Sequence, residues 1–137
     1  HKIKCDVEDN LYMIADRGLL KQGIRVFLQN SIKYTDKKDG EIILKAYSEE
    51  NDIYIIVKDN GIGIAKRDLP RIFDRFFRAD ASRTKQTGGV GLGLSIAKWI
   101  VNSHGGKIDI KSSLGVGTKV IVKLPYRKEK NDKTESN

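Results

Sequence analysis

An alternating run that ends in a carboxylate and two glycines constrains this chain more than any other stretch. Ile53, Ile55 and Val57 fall on one side of a period-two pattern, Tyr54 and Ile56 on the other, and Asp59-Asn60-Gly61-Ile62-Gly63-Ile64 follows. β-Branched and aromatic residues at that period predict a strand buried on much of both faces. The strand delivers Asp59 at its end. Asp-Asn-Gly is a common hairpin signal. A carboxylate at a rigid strand end can also accept a hydrogen bond from the amino group of a ligand. Glycines beside it permit positive φ and let backbone approach that ligand closely. The stretch alone fits both readings; the rest of the chain separates them.

With 137 residues there is enough chain for one domain with one core between two layers. No apolar run approaches the roughly 18–20 residues needed to span a bilayer, and the start carries no signal-peptide pattern. Cys5 is the single cysteine, so neither a disulfide framework nor a cysteine metal cluster is expected, and the setting is expected to be reducing and cytoplasmic. His1 and His104 lie too far apart in sequence to suggest a histidine metal site. The net charge is +8, and Lys66 to Lys85 holds seven basic residues against three acids. Such a segment is either a solvated face or a patch for a polyphosphate, a nucleic acid or an acidic partner.

Taken in order, Ile3–Val7 and Leu11–Ala15 are short strand candidates, and Asp16 stands as a helix N-cap. Leu19, Leu20, Ile24, Phe27, Leu28 and Ile32 recur at helical spacing, with Gly23 among them at a cost of about 1 kcal/mol relative to alanine. Asn30 and Lys33 share a face near the end of that helix, and Tyr34 follows. They read either as an exposed helix end or as an amide and an ammonium able to hold a metal-bound phosphate. Glu41–Tyr47 pairs with the Asp59 strand as a hairpin. Lys66–Phe73 reads as a short helix interrupted at Pro70.

Phe73, Phe76 and Phe77 sit among Asp74, Arg75 and Arg78, and Ala79 to Val90 then lacks large apolar side chains. That composition predicts a mobile lid anchored by the aromatic cluster. Gly89-Val90-Gly91-Leu92-Gly93 feeds a helix whose stripe is Ile96, Ala97, Ile100 and Val101 and whose stop is Gly105-Gly106. A glycine-rich loop at a helix N-terminus favours phosphate, though the spacing is neither that of a P-loop nor that of a dinucleotide fingerprint. Lys107–Ser112 and Lys119–Leu124 are two further strands, joined through Gly115-Val116-Gly117-Thr118. From Arg127 onward the chain is a charged tail expected to be disordered. The division is therefore one domain over 1–126 and a tail over 127–137.

Four segments now stand in order: Asn30-x-x-Lys33-Tyr34, Asp59-x-Gly61-x-Gly63, Phe73 to Arg78, and Gly89-x-Gly91-x-Gly93. Together they resemble the catalytic, ATP-binding domain of bacterial sensor histidine kinases, from about Asp16 to Pro125. That family shares a superfamily with the gyrase, heat-shock chaperone and mismatch-repair ATPases. The resemblance implies a two-layer α/β sandwich, a mixed β-sheet packed on three helices. It implies that Asp59 accepts the adenine amino group, that Gly61 and Gly63 pass close to the base, and that Thr118 supports the same end. Asn30 would hold Mg²⁺, Lys33 would neutralise phosphate charge, and Tyr34 would pack near the ribose and base. Arg78 would reach the γ-phosphate, and Gly89, Gly91 and Gly93 would offer backbone N–H groups to the phosphates.

The implied activity is transfer of the ATP γ-phosphate to a histidine on a dimerisation domain outside this chain, with a response-regulator receiver domain downstream. The parent is expected to be a membrane-anchored homodimer with this domain in the cytoplasm, and no nucleic acid is expected as a partner. Val26 departs from the pattern: the family usually has a second asparagine there, and the hydrolysing branches a glutamate that activates water. Valine cannot act as a general base, so transfer to a partner is expected over vigorous hydrolysis. A degenerate, non-catalytic ATP sensor is the alternative that Val26 raises, and a nucleic-acid-binding module is the one that Lys66–Lys85 raises. Neither histidine fits the acceptor, and His104 is expected to cap or pack.

Overall fold

The computed structural model describes residues 2–9, 16–35, 38–74 and 93–125. Five strands, β1 (Lys2–Val7), β2 (Glu41–Glu49), β3 (Asp52–Asp59), β4 (Lys107–Ser113) and β5 (Gly117–Pro125), form one sheet in the order β1-β2-β3-β5-β4. β1 runs parallel to β2, with the helix α1 (Arg17–Tyr34) in the connection, and the other three pairings are antiparallel. The sheet is therefore mixed, and α1 and α2 (Gly93–Ser103) form the second layer. The expected two-layer α/β architecture is present, with two α-helices among the described residues. The third helical segment, expected over Lys66–Phe73, is a series of turns with one 3₁₀ turn at Leu69–Arg71. Pro70 lacks the N–H that an α-helix would need there. The strand expected at Leu11–Ala15 lies outside the described residues.

β3 is the central strand, and its alternation decides which side faces the helices. Ile53, Ile55 and Val57 are buried, whereas Tyr54 and Ile56 are only partly covered. Their register partners on the inner side, Leu124, Val122 and Val120 of β5, are buried as well. Phe27, Ala97 and Val101 close this core from the helix layer. Ile42, Ile100 and Leu124 are fully buried, each contributing about 1.5–3 kcal/mol of transfer free energy.

The helices are held at their ends by local chemistry. Asp16 caps α1 as expected, Oδ1 accepting the Leu19 N–H at 3.0 Å. α2 stops at Gly105, whose φ is +73°, and the Gly106 N–H returns to the Val101 carbonyl at 3.0 Å. Gly23 of α1 faces Ile100 of α2: a Cβ placed there would lie 3.5 Å from Ile100 Cγ2. The glycine that weakens α1 locally marks a contact between the helices.

Candidate functional site

The inner face of the sheet carries polar groups at one end. Ile42, Asp59, Thr118 and Ser112 stand side by side on four adjacent strands in register. Asp59 is 8% exposed, and its Oδ1 accepts two backbone N–H groups, that of Gly61 at 2.9 Å and that of Thr118 at 3.2 Å. Both bonds fall on one oxygen. Among the described residues no donor reaches Oδ2. The carboxylate is thus oriented from behind by backbone, with its second oxygen left to accept.

Ser112 completes this end and was not legible in the sequence. Its hydroxyl donates to the Gly117 carbonyl at 2.9 Å and accepts the Ile64 N–H at 2.7 Å. With its one proton committed, it accepts from the Thr118 hydroxyl, 2.8 Å away. Ser112 sits 53 positions from Asp59, and only strand register brings them onto one row. Asn60 is a second such residue: Oδ1 accepts the Glu41 N–H at 2.8 Å and Nδ2 donates to the Asp39 carbonyl at 3.3 Å. It fastens the turn to the start of β2.

The positive φ expected of a turn glycine is present at Gly63, and both glycines have a further structural reason. A Cβ on Gly61 would strike the Tyr34 carbonyl and approach Thr35 Oγ1 to 2.8 Å. One on Gly63, where φ is +79°, would strike the Ser113 carbonyl. The turn is threaded between the end of α1 and the β4–β5 connection. The Ile62 N–H donates to Tyr34 O at 3.0 Å, and Ile62 O accepts the Gly115 N–H at 2.8 Å. Close approach to protein backbone already demands glycine at both positions.

This threading sets the end of α1 against the Asp59 turn. Asn30 and Tyr34 are half-buried and Lys33 is exposed. The Asn30 and Lys33 side chains make no hydrogen bond to other described residues. Gly93 opens α2 beside α1, where its Cβ would lie 3.3 Å from Val26 Cγ1. Val26 is therefore a packing residue between the helices. Arg78, Gly89 and Gly91, and the expected lid over Ala79–Val90, lie outside the described residues. Phe73 of the aromatic cluster is within them, with Lys98 Nζ of α2 5.3 Å from its ring centroid. Of the basic segment, Arg71 pairs with Asp74 at 3.8 Å.

Known proteins match this chain over most of its length. The model of the histidine kinase-, DNA gyrase B-, and HSP90-like ATPase family matches residues 15–128. This chain belongs to that family. Among its relatives, the sensor protein CiaH of Streptococcus pneumoniae is 42% identical over 122 residues, 86% of this chain and 27% of CiaH. The sensor histidine kinase WalK of Bacillus subtilis is 42% identical over 125 residues, 90% of this chain and 20% of WalK. The chain spans about a quarter of the length of the curated relatives it matches. Among solved structures, a mycobacterial sensor histidine kinase MprB superposes with TM-score 0.82 at 27% identity, covering 92% of this chain and 84% of that one. Full-length ShkA in complex with AMPPNP gives 0.78 at 28% identity, covering 91% and 25%.

Within this ATPase family the metal question turns on the donor set. No group of three or more His, Cys, Asp or Glu able to hold a metal occurs among the described residues. The half-buried carboxamide of Asn30 is a single hard oxygen donor. That fits Mg²⁺, which keeps water and phosphate oxygens as most of its ligands and needs few from protein. No helix among the described residues is long and apolar enough to cross a membrane.

Proposed function

We propose that this chain is the catalytic ATP-binding domain of a two-component sensor kinase, which binds Mg-ATP and presents the γ-phosphate to a histidine on a separate dimerisation domain. The observation that carries the reading is the Asp59 carboxylate. Two backbone N–H groups fix Oδ1, and Oδ2 remains as an acceptor at the inner end of the sheet. A carboxylate so oriented suits the exocyclic amino group of adenine, and Thr118 and Ser112 hold the adjoining backbone.

Asn30 would supply the protein's oxygen to Mg²⁺, which neutralises phosphate charge when bound. Lys33 and Arg78 would supply the cations for the phosphates, Tyr34 would cover the ribose and base, and Gly89, Gly91 and Gly93 would offer N–H groups. Phosphoryl transfer depends on such positioning and charge stabilisation more than on covalent help from protein. Val26 leaves the site without a general base one helical turn before Asn30, which supports delivery to a partner over hydrolysis. His104 is no acceptor: Nδ1 donates to the Ile100 carbonyl at 2.9 Å and Nε2 accepts the Asp16 N–H at 3.0 Å. The receiver of the phosphoryl group would be a histidine of the parent kinase, then a response regulator. A cytoplasmic place for this domain in a membrane-anchored homodimeric parent goes with that reading.

Titration calorimetry with ATP, with and without Mg²⁺, tests the nucleotide site on the parent chain and on Asp59→Ala. Mg²⁺-linked binding that the substitution removes is expected. Equal affinity of the two proteins would sink the adenine assignment. Incubated alone with γ-labelled ATP, the chain is expected to retain no label; with a supplied dimerisation domain the label appears on that domain.

A further inference from the structure

The outer face of the sheet, turned away from the helices, carries a feature that the nucleotide site does not use. Strand register places Lys58 of β3 opposite Lys119 of β5, and Lys119 opposite Lys111 of β4. Three lysines thus stand in one row across three strands, and Ile43 and Lys4 continue it on β2 and β1. Like charges directly opposite one another destabilise a sheet, so this row carries a cost that the fold does not require. It lies along an open cleft of about 460 Å³, lined also by Ile43, Val116 and Glu41 and, at the sheet end shared with the candidate site, by Asp59, Ser112 and Thr118. Glu41 is engaged by Lys4 at 3.0 Å. No acid among the described residues forms an ion pair with Lys58, Lys111 or Lys119.

We propose that this lysine row is a docking surface for an acidic peptide segment of a partner protein. Charge complementarity selects an anion, and the layout selects its form. Strands lie about 4.8 Å apart, so the three lysines spread along about 10 Å instead of converging on one point. A lysine is a point charge on a flexible stem, not a fork for one phosphate. An extended segment places alternate side chains about 6.7 Å apart, so two or three carboxylates at alternate positions reach the row. The side chains between them would point away from the row, since those of an extended segment alternate between its two faces. A membrane or a nucleic acid would cover the flanking rows too. There it would meet Asp6, Lys45 and Asp109 on one side of the lysines and Lys2 and Glu41 on the other, rows with no excess of positive charge.

The test uses the whole chain, isotopically labelled for NMR, at low ionic strength. The probe is the blocked peptide Glu-Val-Glu-Val-Glu-Val, beside its isomer Glu-Glu-Glu-Val-Val-Val. The alternating peptide is expected to shift the amides of Lys58, Lys111 and Lys119 and to bind more tightly than its isomer. The triple variant Lys58→Gln/Lys111→Gln/Lys119→Gln is expected to weaken it about tenfold. Lys2→Gln/Lys45→Gln/Lys123→Gln removes the same charge from the same face and is expected to weaken it far less. Thermal unfolding of the row variant is expected at or above that of the parent, since a repulsion has been removed. Equal losses in the two variants would show diffuse attraction only and overturn the proposal. So would tighter binding of tripolyphosphate to the row, or sedimentation with phosphatidylserine vesicles that the row variant alone abolishes.

Discussion

His104 ties the end of one helix to the start of the other: its Nε2 accepts the backbone N–H of Asp16 at 3.0 Å, across 88 positions of sequence. Its Nδ1 carries the proton and donates to the Ile100 carbonyl at 2.9 Å. Asp16 in turn caps α1 through its side chain. The expected packing or capping role of His104 is thus observed, and it spans two elements. His104→Ala leaves the Asp16 N–H to water, while the Ile100 carbonyl keeps the Ser103 hydroxyl at 2.9 Å, so a loss of about 1 kcal/mol is expected. The midpoint of urea unfolding should fall while ATP affinity stays within a factor of two or so. An unchanged midpoint would show the bridge to be energetically empty.

Asp59 gives a prediction from chemistry on both sides of one hydrogen bond. Asp59→Asn should lower ATP affinity by roughly 10- to 100-fold, because a bond to a charged acceptor contributes about 1.5–3 kcal/mol. N6,N6-dimethyl-ATP, which lacks the amino donor, should bind the parent with a similar loss. The two changes together should cost little more than either alone. Additive losses in calorimetry would mean that the amino group and Asp59 do not meet.

Asn30→Ala should act on the metal-dependent part of binding. Affinity for ATP without Mg²⁺ should change little, and the gain on adding Mg²⁺ should shrink. If that gain is undiminished, the metal takes its protein ligand elsewhere.

Two glycine-to-alanine substitutions should move stability in opposite directions. At Gly61 the methyl would strike the Tyr34 carbonyl, a backbone atom that cannot move aside without shifting α1. A loss of about 3 kcal/mol or more is expected, the upper end of overpacking costs. At Gly23 the methyl would meet Ile100 side-chain atoms at 3.5–3.8 Å, ordinary contact distance. Gly23→Ala should stabilise by about 0.5–1 kcal/mol through helix propensity. Chemical denaturation of both proteins checks the signs, and a stable Gly61→Ala would refute the threading of the turn.

Local pattern determined much of this protein by itself. Period-two alternation placed β2, β3, β4 and β5 to within a few residues, because side chains of a strand alternate between a core and a wetter face. Helical spacing and Asp16 placed α1, and the ordered boxes around Asn30, Asp59 and Gly93 pointed to the ATPase family. Pro70 warned that Lys66–Phe73 would not form a regular helix, and a single 3₁₀ turn is what remains there.

Tertiary structure decided the rest, because register and close approach are relations between distant segments. Ser112 became part of the Asp59 end only through the pairing of β4 with β5 and β5 with β3. Gly61 and Gly63 had two possible reasons in the sequence, a ligand or a turn. The fold bears out the turn at Gly63, where φ is +79°, and adds a third reason at both, the carbonyls of Tyr34 and Ser113. Val26, readable only as a departure from a pattern, proved to be packed against Gly93. Lys58, Lys111 and Lys119 are scattered over 62 positions and show no charge run. A sheet sums charge across strands, whereas a sequence displays it only along them, so their common row existed nowhere until the strands were paired.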